Sequence, residues 1–333
     1  MEKLSLIHRF PSSQALAFTG ESFLLKREDS LFLLDSLTME ILAETKDTRF
    51  AKKIVSSPDR KSFVLLSGLL RPGAVLSSLP TLDPIRTIQP SPDFFAQDAV
   101  YSPDGSYLYI LGSLNQKEKP QNLLVTYSFQ EDKEKSYPIP SDIVLDRIRY
   151  SKDMGALVLF SPSGKALCFH SGKIIEEVKV EPFHRFFFIE KGEILTDIPN
   201  GFQLFSHSGK KIKKFPFLIQ TPLTAEEAKL YHKEIESEKE RKSFSGETLP
   251  PLSSEFYMDM TLSREKDLLF YLTSCPFEKG FELYTLSLKD FSLVSAQKGK
   301  GKPVSLSYRD PFLVVGTSQE LLLYRVKEQN PKE

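Results

Sequence analysis

Short runs of alternating apolar and polar residues, separated by clusters of Gly, Pro, Asp and Ser, fill almost the whole chain. Alternation at period two marks half-buried strands, and the turn formers mark their ends. The stretch VYSPDGSYLYILG (100–112) shows the unit as strand, four-residue turn, strand. Pro103 presets φ at the first central turn position and Asp104 suits the second. Gly105 can adopt the left-handed conformation that lets the strands continue in register. The residues after it, Ser106 to Ile110, are mostly aromatic or β-branched, as strands prefer.

The same turn recurs along the chain. SSPDRKSFVLLSG (56–68) precedes it, and RYSKDMGALVLF (149–160) follows. Weaker copies are IEKGEILT (189–196), LSREKDLLFYLT (262–273) and SYRDPFLVVG (307–316). The strongest internal match pairs SPSGKALCFHSGKII (161–175) with IPNGFQLFSHSGKKI (198–212), without gaps. Pro162 aligns with Pro199, Gly164 with Gly201, and His170 to Lys173 with His207 to Lys210. Each of these reads as the second, third and fourth strands of a unit joined by tight hairpins.

Repeats of roughly 40–45 residues built from short strands indicate four-stranded propeller blades. Seven units are expected, starting near residues 13, 50, 96, 145, 183, 255 and 302, although six or eight also fit the pattern. The last unit supplies only three strands, and KLSLIHRF at the N-terminus supplies one orphan strand. Pairing that strand with the C-terminal blade would close the ring. The expectation is therefore an all-β, seven-bladed β-propeller over residues 1–333 as one domain. Two separate β-sandwiches would need a linker near the middle, where the gapless repeat runs instead.

With SPDGSYLYILG repeated, the chain resembles the WD-repeat and YVTN-type propeller superfamily. The tryptophan–aspartate signature is missing, because there is no Trp, which leans the likeness toward the bacterial YVTN-like side. That resemblance implies a propeller but no single chemistry, since such propellers include hydrolases, dehydrogenase subunits and plain binding proteins.

One segment departs from the repeat. In TPLTAEEAKLYHKEIESEKERKSFSGETLPP (221–251), Thr224 and Glu227 form a capping box. Charged pairs such as Glu238–Lys242 stand at helical spacing. This predicts a helical insertion between the fifth and sixth blades. Its thin apolar stripe with the charged pair, Tyr231, Ile235, Glu238 and Lys242, is the candidate partner-binding surface.

Composition narrows the function classes. The chain carries 44 basic and 44 acidic residues, a balance that argues against a dedicated nucleic-acid or anionic-membrane binder. No apolar run reaches the roughly 18 residues of a membrane helix. With two distant cysteines, Cys168 and Cys275, and no signal-like N-terminus, the chain reads as cytoplasmic. Lysines in KKIKK (210–214) are expected on an outermost strand, where they discourage edge-to-edge pairing.

No HExxH, GxSxG or phosphate-loop pattern is present. No catalytic residue, metal ligand or cofactor is therefore assigned. His170 and His207 are read as turn residues. Counting back four or five residues from each turn gives a polar set at one mouth of the channel: Lys53, Asp98, Asp146, Arg147, His184, Arg185 and Asp259. The expectation is a non-catalytic scaffold that binds protein partners. The alternatives are a metal-dependent, lactonase-like hydrolase, for which Asp98, Asp146 and Asp259 would have to converge, and a sensor holding a small polar ligand in the channel.

Overall fold

A computed structural model describes residues 4–327 apart from 12–14, 20–21, 47, 49–50, 68–72, 115–120, 140–144, 162–164, 180–185, 189–192, 199–200, 207–208, 217–257 and 276–279. The described strands pair into seven antiparallel sheets of four. Blades 1 to 6 span residues 15–45, 51–88, 94–139, 147–179, 186–216 and 258–300. Blade 7 joins residues 303–326 to the N-terminal strand Leu4–Pro11. The first strand of each sheet is innermost and the last outermost, except in blade 7, whose outer strand is the N-terminal one. No helix occurs among the described residues, and the predicted insertion at 221–251 lies outside them.

Turn chemistry sets the hairpins that make a blade. Ser102 Oγ donates to Asp104 Oδ1 at 2.5 Å, and Asp104 in turn accepts from the Ser106 amide. The Tyr107 amide then donates to Ser102 Oγ, so the turn's own side chains satisfy its backbone. Blade 2 repeats this with Ser57, Asp59 and the Ser62 amide. Gly105 has a φ of 74°, and Arg60 carries 62° at the matching position of blade 2.

No blade can bury its own two faces, so each packs against its neighbours. Seven separate apolar clusters result, one per junction. Leu66 and Ile110 meet between blades 2 and 3. Ile148 and Leu124 meet between 3 and 4. Phe160 and Phe205 fill the next junction. Phe202 and Leu269 join blades 5 and 6. The ring closes through Phe270 with Leu322, Phe312 with Phe23, and Leu24 with Phe63. Seven junctions for seven blades define a closed β-propeller.

The closure pairs Leu4 with Val326 and Pro11 with Glu320, with one bulge at Ile7. Comparable bulges interrupt the outermost strands at Leu42, Ile85, Ile175, Ile212 and Val294. An extra residue bends the strand and spoils the flat edge that another chain could extend. Blade 3 differs: its outer strand Lys133–Ile139 pairs along its whole length without a bulge.

Candidate functional site

The innermost strands of blades 2, 3 and 7 each carry a bulge, at Lys52, Gln97 and Val304. The residue after it is re-aimed by the kink, as bulges near sites commonly do. In blades 2 and 3 that residue is Lys53 and Asp98. Both stand four positions before their turn serines, Ser57 and Ser102. Arg147 and Asp259 hold the same place ahead of Ser151 and Ser263. Four of the residues expected at the channel mouth thus share one level of the ring.

The two carboxylates among them, Asp98 and Asp259, turn between blades. Asp98 is buried, accepts from the Ala99 amide at 2.7 Å, and accepts from the Ile148 amide of blade 4 at 3.1 Å. Lys53 Nζ of blade 2 lies 2.5 Å from Oδ1, and Arg149 Nη1 of blade 4 lies 2.9 Å from Oδ2. Burial pushes this carboxyl up. Lys53 and Arg149, with the Ile148 amide, outweigh it and hold Asp98 below the usual carboxylate range. Asp259 repeats the backbone part, accepting from Met260 at 2.9 Å and from Leu306 of blade 7 at 3.1 Å. Each aspartate latches its blade to the inner strand of the next.

Asp146 sits 3.9 Å from Arg147 Nε. Asp98 and Asp259 serve different junctions, and among the described residues no three His, Cys, Asp or Glu side chains group as metal ligands. His184 and Arg185, with Tyr231, Ile235, Glu238 and Lys242, lie outside the described residues.

A second feature lies at the outer end of the junction between blades 3 and 4. Cross-strand pairing sets two matching rungs on one face of blade 3. Tyr107, Ser128 and Lys133 make the first, and Tyr109, Thr126 and Lys135 the second. Deeper in, Leu111, Leu124 and Tyr137 form a third rung that merges with the apolar cluster. Because the outer strand has no bulge, Lys133, Lys135 and Tyr137 keep to this one face.

Blade 4 supplies the opposite wall through Tyr150, Leu157, Phe169 and its two hairpin turns. His170 Nδ1 pairs with the Gly155 carbonyl at 2.9 Å and ties those turns together. Gly172, at a φ of 84°, lets the Tyr137 ring lie against the second turn, where a Cβ would approach its edge at 3.1 Å. The walls flank an open groove of about 340 Å³.

Besides Tyr137, three tyrosines line this groove in a row. Tyr107 and Tyr109 have ring centroids 6.1 Å apart, and Tyr109 and Tyr150 6.3 Å apart, both pairs within 24° of parallel. Burial, then the neighbouring Tyr150 and Tyr107, push the Tyr109 hydroxyl up to about 12, so it stays a neutral donor. Lys133 and Lys135 are exposed, and no carboxylate pairs with either among the described residues. The groove can therefore offer ring faces, hydroxyls and two ammonium groups side by side. Tyr107 and Tyr109 are visible in the sequence as the period-two SYLYI. Tyr137 and the lysines come from the outer strand of the same blade and Tyr150 from the next blade, and only sheet register and blade packing bring them together.

No family model matches the chain, and no curated protein matches it either. The likeness to WD-repeat and YVTN-type propellers rests on its repeated turns. Among the described residues no helix is long and apolar enough to cross a membrane.

Proposed function

We propose that the chain is a non-catalytic β-propeller that holds protein partners on its surface, on the YVTN-like side of the propeller superfamily. The observation that supports this reading most is the fate of the inner-strand carboxylates. Asp98 and Asp259 spend their oxygens on amides of adjoining blades, which makes them part of the frame rather than reagents at a channel mouth. A ring stiffened in this way presents loops and grooves at fixed separations.

The test is to assay purified full-length protein for bound divalent metal and for hydrolysis of a lactone panel. Stoichiometric metal together with turnover that Asp259→Asn abolishes, in a protein that still folds, would overturn this reading in favour of the lactonase-like alternative. Metal-free, inactive protein that forms defined complexes supports it. Deleting 222–245 then asks whether Tyr231, Ile235, Glu238 and Lys242 belong to the docking surface, read as the loss of a complex that the intact chain forms.

A further inference from the structure

We infer that the tyrosine-lined groove between blades 3 and 4 binds an extended acidic peptide segment of a partner protein. The inference rests on the reading of the chain as an interaction platform and names the chemistry of what it holds.

The argument starts from repetition. Two successive rungs offer the same triad of tyrosine ring, hydroxyl and ammonium: Tyr107, Ser128 and Lys133, then Tyr109, Thr126 and Lys135. Along a strand, residues two apart lie about 6.6–6.8 Å from one another. An extended peptide running along these strands therefore brings every second side chain to one rung, in step. A ligand of matching repeat needs an apolar or planar face for the tyrosine, a hydrogen-bond acceptor for the hydroxyl, and a negative charge for the lysine.

Acidic residues at alternate positions answer the lysines, which have no carboxylate partner among the described residues. Prolines between them point away from the rungs, hold the preceding acidic residues in the extended region, and leave the backbone carbonyls free to accept from the hydroxyls. The other charged groups at the groove limit the ligand. Glu131, in the turn that leads into Lys133, also lines the groove and sets a like charge there, so the acidic run must stop short of it. His170 on the facing wall is engaged with the Gly155 carbonyl.

Blade 3 is also the place where the outer strand is unbroken. Bulges divide the face of the other outer strands, and where lysines still stand two residues apart past the bulge, as Lys298 and Lys300 do in blade 6, Glu282 already lies 3.3 Å from Lys298 Nζ.

The experiment is fluorescence anisotropy with the full chain and labelled peptides containing (Asp-Pro)₃, (Ser-Pro)₃ or (Lys-Pro)₃. Decathymidylate and a glucose hexasaccharide serve as competitors. Saturable binding of the (Asp-Pro)₃ peptide is expected, with (Lys-Pro)₃ excluded. Lys135→Glu should abolish binding, and the surface substitution Tyr107→Ala should weaken it about tenfold. Both variants should keep the wild-type melting temperature to within a few degrees. A K133E/K135E double variant should reverse the preference and take (Lys-Pro)₃, which separates charge recognition from damage to the fold.

Absence of (Asp-Pro)₃ binding, equal binding by Lys135→Glu, or preferential binding of the oligonucleotide or the sugar would each overturn the inference. Any of those results in metal-free, inactive protein leaves the platform reading standing. Lactone turnover would remove that reading whatever the peptides do.

Discussion

Replacing Asp98 tests how the ring is held. Its carboxylate meets two backbone amides and two cations, contributed by blades 2, 3 and 4. Asp98→Ala leaves the Ala99 and Ile148 amides without an acceptor, each worth about 1–3 kcal/mol when buried unpaired. Lys53 and Arg149 also lose their anion, but their side chains are 40% and 36% exposed and can turn to water. The amides therefore dominate, and the expected loss is about 3–5 kcal/mol.

Asp98→Asn keeps one acceptor and removes the charge, for an expected loss of about 2 kcal/mol. Urea unfolding at constant m-value reads both differences. The pH dependence isolates the charge. Because the folded-state pKa is depressed, the stabilisation is fully present above the unfolded-state value near 4 and is lost as pH falls through the folded one. The gap between wild type and Asp98→Asn should thus be widest at neutral pH and close in acid. A gap below about 1 kcal/mol at pH 7, or one that does not narrow in acid, would refute the latch.

Three further outcomes follow from the packing. Removing residues 1–11 strips the outer strand from blade 7 and uncovers the edge of Glu320–Val326. Light scattering should then show association and the melting temperature should fall, whereas an unchanged monomer would contradict closure. Arg60→Gly relieves a left-handed conformation at a turn that blade 3 fills with Gly105, and should raise stability by about 0.5–1 kcal/mol in the same urea assay. The Cys168 thiol is pushed up to about 11, chiefly by burial and secondarily by Glu176. It should resist alkylation at pH 8 in the native protein and react once unfolded, as peptide mass spectrometry will show.

The architecture was written in the turns. The expected blade starts at 50, 145 and 302 lie beside innermost strands that begin at Ala51, Arg147 and Pro303. Serine, aspartate and glycine act over four residues, so local sequence reports them faithfully. The level shared by Lys53, Asp98, Arg147 and Asp259 was legible for the same reason, since it is a fixed count from each turn. The direction of those side chains was not. An inner-strand bulge shows only as a polar doublet, Lys52-Lys53 or Gln97-Asp98, that does not say which way the side chains turn, and the amides of the adjoining blades that Asp98 and Asp259 accept from lie about fifty residues further on. The tyrosine groove escaped sequence reading because it depends on the register of three strands and on a second blade's hairpins. Residues 221–251, where sequence placed a helix, lie outside the described part of the chain.

The pairing of Leu4 with Val326 makes the first and last described strands neighbours, with those two residues on a single rung. A short linker there, with new termini cut into an inter-blade crossing, would yield a circular permutant with the same seven junctions. The order in which the blades emerge during synthesis could thus be shuffled without altering the finished wheel, and dyes on the exposed Ile7 and Arg325 positions of the two paired strands would report by energy transfer the moment it shuts.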